Sequence, residues 1–173
     1  TKVVVANKKL YVNRDEGFIG TSMRKDEYVC DCSDIDDIIV FRENGSMKVV
    51  KVESKVFIGK GIIHAAVFKK KDSRTIYNMV YVDGKSGYSM MKRFNVSSIT
   101  RNRDYFLTKS EKNSKIIYFT ANPNGEAETI TVHLRKNQRL KILKFDYDFA
   151  DLSIKGKGSV GNILTKNTVK KIE

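Results

Sequence analysis

The chain has 173 residues, with 33 Lys plus Arg against 20 Asp plus Glu, two Cys and one Pro. Its 40% hydrophobic residues, with 9 Phe and 8 Tyr, can form the core of one domain of ordinary size, which excludes a disordered chain. No apolar run approaches the roughly 20 residues of a membrane-spanning helix and no signal pattern opens the chain, so we expect a soluble protein.

The positive charge is unevenly distributed. The formal net charge is +13 at pH 7; residues 1–50 carry 8 basic and 9 acidic side chains, and residues 51–173 carry 25 and 11. Excess positive charge on a compact domain concentrates polyanions, so nucleic acid is the leading predicted partner. The alternative is a Lys-rich surface that only keeps the protein soluble.

Apolar runs followed by turn dipeptides recur along the chain. The turn glycines Gly45, Gly84 and Gly125 are 39 and 41 residues apart, and the Phe-Ile-Gly triplets at Phe18 and Phe57 are also 39 apart. Each dipeptide predicts a two-residue hairpin turn. The runs and dipeptides are Val3–Val5 with Ala6-Asn7, Ile38–Phe41 with Asn44-Gly45, Met79–Val82 with Asp83-Gly84, and Ile116–Phe119 with Asn124-Gly125.

The later segments also favour strands. Residues 145–149 alternate aromatic and acidic side chains, which places three aromatic rings on one face of a strand. We expect strand at 134–144 as well, although Leu, Lys, Arg and Gln there have helical propensity. Residues 163–172 resemble the opening hairpin of a further unit, or strands that complete a neighbouring one.

The predicted fold is therefore one all-β domain, residues 1–173, of about four repeated antiparallel blades arranged as in a propeller. The expected blades are 1–35, 36–74, 75–114 and 115–162, with 163–173 as a closing or next-blade hairpin. The chain starts at Thr1 within an apolar run and ends directly after another, so we expect a piece of a longer protein.

Four passages resemble the carboxy-terminal domain of the A subunit of bacterial type IIA topoisomerases, gyrase and topoisomerase IV. They are Gly17–Thr21, Lys55–Ile62, Gly87–Phe94 and Ile154–Ile163. The sequence of residues 122–128 is similar to the sequences of the topoisomerase IV branch found in Bacteroidetes. The resemblance implies a β-pinwheel whose blades exchange strands and whose basic rim binds duplex DNA. Gyrase carries a Gln-Arg-Arg-Gly-Gly-Lys-Gly box, of which only 59–61 and 155–158 are fragments, so a topoisomerase IV type of role is favoured.

The resemblance also implies what lies outside the chain. The DNA-cleaving tyrosine, the metal-binding carboxylates and the ATP site belong to other domains or subunits of an ATP-hydrolysing parent enzyme, so this domain is expected to be non-catalytic and without cofactor. Its expected partners are duplex DNA and, through the parent, the B subunit and a second copy of the A subunit, with no membrane partner. The few cysteines suit the reducing bacterial cytoplasm, where the protein would associate with the nucleoid.

Phosphate contacts need cations and backbone amides that duplex DNA can approach. The candidate residues lie at strand ends, close to another basic residue or beside glycines. The alternative role for each is that of a basic side chain on a solvated strand edge that makes no contact with DNA. They are Lys60, Lys92, Arg93, Arg101, Arg103, Arg135, Lys136, Arg139, Lys155 and Lys157.

The histidines, the cysteines and the acidic cluster fit structural roles better than catalytic or metal-binding roles. His64 and His133 occupy apolar runs, where a packed or hydrogen-bonded ring is expected. Cys30 and Cys32 lie two apart on a strand without the second ligand pair of a zinc site. The acidic cluster 31–37 lacks calcium-loop spacing and is interpreted as a turn.

Two other functions remain open. One is a propeller-like scaffold that binds an acidic protein partner, which saturable binding to a single polypeptide would favour. The other is an RNA-binding β domain that stacks bases on Tyr and Phe. Competition between duplex DNA and single strands separates these alternatives, because stacking requires exposed bases.

Overall fold

A computed structural model of the chain describes residues 5–173. Within this range the structure is β-strand and loop, apart from one short 3-10 helix at Phe149–Asp151, and no helix is long and apolar enough to cross a membrane. The strands are β1 (Lys8–Asn13), β2 (Phe18–Gly20), β3 (Glu27–Cys32), β4 (Asp37–Arg42), β5 (Ser46–Lys51), β6 (Val56–Phe57), β7 (Ile62–Phe68), β8 (Ile76–Val82), β9 (Ser89–Asn95), β10 (Tyr105–Phe106), β11 (Lys115–Asn122), β12 (Thr129–Leu134), β13 (Lys144–Asp148), β14 (Lys155–Gly156), β15 (Asn162–Thr165) and β16 (Val169–Ile172).

The strands form four small sheets. Their orders are β3-β1-β2-β6, then β10-β5-β4-β7, then β11-β8-β9-β14 with β15 also on β9, and finally β13-β12-β16. The pairings described within residues 5–173 are antiparallel except for the short parallel contact of β14 with β9. The prediction of an all-β fold with about four small, mainly antiparallel sheets is confirmed, and these sheets are consistent with the blades of a pinwheel.

Each sheet receives a strand from farther along the chain. β6 pairs with β2, β10 with β5, β15 with β9 and β16 with β12. In the first of these pairs Phe18 lies opposite Phe57, so the two Phe-Ile-Gly markers are partners in one sheet. Each added strand pairs the N–H and C=O groups of an edge that would otherwise be open to another chain.

The repeat is less regular than its turn markers indicate. The first strand of each sheet begins at Lys8, Asp37, Ile76 and Thr129, so the spacing lengthens from 29 to 39 to 53 residues. β11, which contains the run at Ile116, pairs with β8 at the edge of the third sheet. The expected fourth blade, 115–162, therefore begins one strand before the fourth sheet does.

The turn dipeptides differ from the predicted two-residue turns. Asn44 and Gly45 belong to a three-residue loop in which Gly45 alone has a positive φ, +91°. Six residues, 83–88, join β8 to β9, and Gly87 supplies the positive φ there. Asn124 and Gly125 connect β11 to β12, which lie in different sheets. The first predicted turn adjoins Val3 and Val4, outside the described residues, while Val5 to Asn7 form no strand.

The strand expected at 134–144 is wrong for residues 135–143, which form a loop. The Asn137 side chain accepts the backbone N–H groups of Arg139 and Leu140 at 2.8 and 3.0 Å. Such local bonds compete with a strand ladder, and this explains the loop. The alternating segment is confirmed as strand for residues 145–148 in β13, but Phe149, expected on the same strand, begins the short 3-10 helix and is fully buried there.

The chain divides into two compact units. The first unit, Thr1–Asp72 with Ser98–Phe106, contains the first two sheets, and the second, Ser73–Ser97 with Leu107–Glu173, contains the other two. In the first unit Leu10 and Ile19 pack with Ile38 and Ile62. In the second, Val80 and Met91 pack with Ile130, Val132 and Phe149. Each fully buried side chain of this kind stabilises its unit by about 1.5–3 kcal/mol.

Gly17→Ala tests a close backbone contact that holds the first sheet. Gly17 has φ +84°, and a Cβ there would lie 2.1 Å from the Gly59 carbonyl carbon. We expect the free energy of unfolding, measured by urea denaturation, to fall by about 2 kcal/mol or more.

Gly87→Ala is the matched control, because Gly87 has φ +75° with nothing within 4 Å of its Cβ position. Only the conformational cost of about 1 kcal/mol applies there. Equal losses in the two variants would show that the contact with Gly59 is unimportant.

Candidate nucleic-acid interface

Lys60 is exposed at the centre of the Gly59-Lys60-Gly61 loop between β6 and β7. Three hydrogen bonds hold the backbone of this loop. Arg42 Nε donates to the Lys60 carbonyl oxygen at 2.9 Å, and the amides of Ile58 and Gly59 donate to the Gly17 carbonyl oxygen at 2.7 and 3.1 Å. These hydrogen bonds hold the backbone that carries the exposed Lys60 side chain.

Arg101 and Arg103 lie in the segment before β10, in the same unit as Lys60. Arg101 Nη2 lies 3.0 Å from Asp37 Oδ1, so a carboxylate already neutralises part of its charge. Arg103 is exposed, with its guanidinium 5.3 Å from the centre of the Tyr105 ring. Of the two, Arg103 is better suited to bind an anion.

The loop 135–143 brings the largest group of predicted cations together. Arg135, Lys136 and Arg139 are exposed, and so are Lys141 and Lys144 beside them. The loop is held at its base, where Leu134 N donates to Leu143 O at 2.7 Å and Arg135 N to Thr168 O at 2.9 Å. Four cations thus extend from one anchored loop of the second unit, and a fifth, Lys144, begins the strand that follows it.

Lys155 and Lys157 follow in the same unit. Lys155 is exposed in β14, opposite Phe94 of β9, and Lys157 is half-buried in the loop after it. The structure thus separates the predicted residues into two groups, with Lys60, Arg101 and Arg103 in the first unit and the others in the second.

The prediction that Lys92 contacts phosphate is wrong. Its side chain is 1% exposed, because backbone groups of Leu107 and of residues 157–159 surround its amine. Lys92 Nζ donates to the carbonyl oxygens of Leu107, Lys157 and Ser159 at 2.9, 2.6 and 2.6 Å. All three of its donors are occupied within the protein, so Lys92 has a structural role.

Arg93 is also less available than its sequence position indicates. It is half-buried, and its Nη2 donates to the Gly125 carbonyl oxygen at 2.7 Å. The second half of the predicted Lys-Arg pair therefore ties β9 to the turn after β11.

The sequence matches the family Topoisomerase C-terminal domain, Bacteroidota, over residues 9–173. The chain belongs to this family. It is similar to the A subunit of DNA topoisomerase 4 from Borreliella burgdorferi, with 29% identity over 174 residues. That alignment covers 99% of the chain and 26% of the relative, so the chain spans about a quarter of that protein.

Two loop-anchoring arginines of this topoisomerase domain are absent from the sequence prediction. Arg14 Nη1 donates to Ile63 O at 2.6 Å, and Arg42 donates to Lys60 O. Arg14 also binds the Glu27 carboxylate at 2.9 Å. The sequence signal that could have indicated them is their position: Arg42 is the last residue of β4, and Arg14 directly follows β1.

The other reactive residues noted in the sequence make contacts within the protein. The His64 ring lies 5.9 Å from the Phe41 ring and burial lowers its pKa, while His133 Nε2 lies 3.1 Å from Glu173 Oε2. Cys30 and Cys32 are free thiols whose pKa values are raised by burial. In the acidic segment, Asp36 accepts the Ser33 N–H at 2.8 Å in the turn before β4.

Lys92 experiences two opposing effects. Burial lowers its pKa to about 7, whereas three carbonyl acceptors favour the ammonium form. Arg93, Asp151 and Lys155 line the same groove and are the neighbouring charges. An ammonium in this position matches three acceptors with three donors, which a neutral amine cannot do.

Lys92 should titrate far below free lysine. In a ¹³C,¹⁵N-NMR titration of the side chain we expect a pKa near 7, against about 10.4 for free lysine. Between these values the unfolded chain binds more protons than the folded chain, so the free energy of unfolding rises with pH. Lys92→Met should lack this rise. Titration at the free-lysine value would show that the three carbonyls outweigh burial.

Proposed function

We propose that this chain is the DNA-binding part of a topoisomerase IV type of A subunit, which binds and bends duplex DNA without reading base sequence. The observation that carries the proposal is the set of exposed cations on anchored loops and strand ends of a family member. They are Lys60, Arg103, Arg135, Lys136, Arg139 and Lys155. The net charge of +13 supports the same conclusion.

Lysine and arginine side chains on loops suit phosphate contacts better than base contacts. Base readout needs an element that enters a groove, usually a helix or a two-stranded ribbon, whereas phosphate binding needs only charge at a suitable spacing. If six to ten phosphates are neutralised, affinity falls by about 10³ to 10⁵ between 50 and 200 mM salt. Specificity would then concern DNA curvature and crossing geometry.

Phosphate contacts of the same kind can also offset the free energy needed to bend the DNA. Bending 20 to 30 base pairs by 40 to 90° costs on the order of 1 to 6 kcal/mol. A few additional phosphate contacts offset that cost, since each neutralised phosphate also releases a counterion. The bent segment is the one that the parent would transport.

In the parent protein we propose that this domain presents the transported DNA segment for ATP-dependent strand passage. The name of the relative, the A subunit of DNA topoisomerase 4, supports this assignment. Strand cleavage, Mg²⁺ and ATP would belong to other domains or to a B subunit, and a second copy of the parent would join through other domains. This domain would contribute binding without catalysis, in the cytoplasm at the nucleoid.

The loop cations should account for much of the affinity. We expect the triple variant Arg135→Ala, Lys136→Ala, Arg139→Ala to bind unrelated duplexes about 10- to 100-fold more weakly, with a salt slope shallower by about 0.9 per lost contact. Fluorescence anisotropy over a salt series measures both quantities.

The charge-matched control is Lys8→Ala, Lys9→Ala, Lys25→Ala, which removes three exposed cations from the acidic first part of the chain. Equal losses in the two triple variants would mean that net charge alone governs binding.

Relaxing a plasmid with a topoisomerase in the presence of the chain tests bending, because a bent complex leaves altered writhe in the plasmid. An unchanged topoisomer distribution with bound protein would exclude it.

A further inference from the structure

The second unit carries an apolar groove of about 540 Å³ next to the loop 135–143. It is lined by Leu134 of β12, by Leu140 and Ile142 of the loop, and by Phe145 of β13. Ile142 is 68% exposed, so residues 5–173 leave much of this apolar surface in contact with water. The volume is that of a site that receives a ligand or a protruding side chain.

Hydrogen bonds fix the segments that form the groove. Leu134 N donates to Leu143 O at 2.7 Å at the base of the loop, and Asn167 N donates to Thr165 Oγ1 at 3.0 Å. Leu134, Thr165 and Asn167 are themselves lining residues. The groove is thus formed before a partner binds, which lowers the entropic cost of binding.

The charge around the groove is positive. Residues 134–144 contain five basic and no acidic side chains, and residues 163–172 contain three basic and no acidic ones. Arg139 and Lys141 line the groove, and Lys166 is exposed beside it. This basic groove is complementary to a ligand that combines negative charge with a bulky apolar group.

Duplex DNA and an anionic membrane each match only part of this description. The sugar-phosphate exterior of DNA offers negative charge, but no bulky apolar group that would cover Ile142. A membrane offers anionic headgroups and acyl chains, but its broad surface does not enter a concave site. A protein surface on which one apolar side chain protrudes among carboxylates matches the whole description.

The first unit of the same chain contains an acidic turn of this kind. Residues 26–37 include six acidic and no basic side chains. Asp36 N donates to Ser33 O at 3.0 Å, which makes residues 33–36 a β-turn. The Asp36 carboxylate accepts the Ser33 N–H at 2.8 Å and holds the turn in shape. Residues 33–36 are therefore an acidic tip of fixed conformation.

The acidic tip exposes an apolar side chain among carboxylates. Asp34 and Ile35 occupy the two corners of the turn. Ile35 is 64% exposed, and the neighbouring side chains of Asp31 and Asp34 are exposed as well. Ile35 and Ile142 thus lie exposed in surroundings of opposite charge.

We propose that the acidic tip of one copy of the chain docks in the basic groove of a second copy, an interaction that goes beyond DNA binding. Ile35 packs against Leu140 and Ile142, and the Asp34 carboxylate faces the Arg139 guanidinium. Because tip and groove are different surfaces, the contact is heterologous. A pair of chains therefore keeps one free tip and one free groove.

The association is weak and depends on concentration. A tip of four residues buries much less surface than the roughly 1,600 Å² of a standard interface. The net charge of +13 opposes association at long range. At physiological ionic strength, charges more than about 8 Å apart are largely screened. The opposite charges at the contact then decide the outcome.

Sedimentation velocity in physiological salt, from micromolar to millimolar chain, tests the contact. The wild-type mass should rise with concentration above the 19.8 kDa of one copy. Ile35→Ser and Ile142→Ser should each weaken association about tenfold or more, since each removes an apolar side chain that the contact buries. The matched control is Ile154→Ser, which removes an isoleucine that is 45% exposed outside tip and groove and should associate like the wild type.

A mixture of the two variants identifies the surfaces that meet. Ile35→Ser keeps an intact groove and Ile142→Ser an intact tip. Each variant alone should remain single, whereas an equimolar mixture should form pairs and nothing larger. A mixture that stays single would overturn the contact. A wild-type chain that is single at all concentrations, or an effect of only one of the two substitutions, would overturn it as well.

Vesicles that contain phosphatidylglycerol test the membrane as the other occupant. Wild-type chain that binds these vesicles without associating with itself, and loses the binding in Ile142→Ser, would assign the groove to a membrane and overturn the proposal. The proposed function is tested separately by duplex affinity at nanomolar chain. Ile142→Ser keeps Arg139 and Lys141 and should bind duplex as the wild type does. A chain that binds no duplex would refute DNA binding without affecting self-association.

Discussion

The structure depends on sheets that exchange strands. β2, β5, β9 and β12 each gain a partner that lies later in the chain. Without that partner each sheet would be very small and would expose an unpaired edge, which is both unstable and prone to aggregation. Exchange pairs that edge with a strand from farther along the chain, and the short strands β6, β10 and β16 become the ends of their sheets. The loop 58–61, which joins β6 of the first sheet to β7 of the second, carries Gly59, Gly61 and the exposed Lys60, so the fold determines where this cation is displayed.

Cations have two distinct roles in this domain. Exposed side chains such as Lys60, Arg135 and Arg139 provide charge toward a polyanion, whereas Lys92, Arg42 and Arg14 donate to backbone carbonyls. A positive charge that satisfies carbonyl oxygens also neutralises the negative ends of those peptide dipoles. The second group therefore shapes the loops on which members of the first group are carried. Net charge alone does not separate the two roles, because both contribute equally to it.

Local features of the sequence were predicted well, and long-range pairing was not. The alternation at 145–149 and the Phe-Ile-Gly markers gave the correct strand class, because side-chain period and burial are local properties. The Asn124-Gly125 dipeptide was misleading, since a turn residue specifies backbone angles and not which strand will be the partner. Lys92 was misassigned for a related reason. Its acceptors lie 15, 65 and 67 residues away in sequence, and one sequence alone does not reveal such contacts.

The late synthesis of the exchanged strands has a consequence for folding in the cell. β2 emerges from the ribosome well before β6, its edge partner, and β9 emerges before nearly seventy more residues bring β15. Domains fold from the N-terminus as they are made, at about 5–20 residues per second, so β9 waits several seconds with one side open. The nascent chain would pass through a series of half-finished blades, each closed by the next. During those intervals the unpaired side of β9 is the part of the nascent chain most open to pairing with another chain.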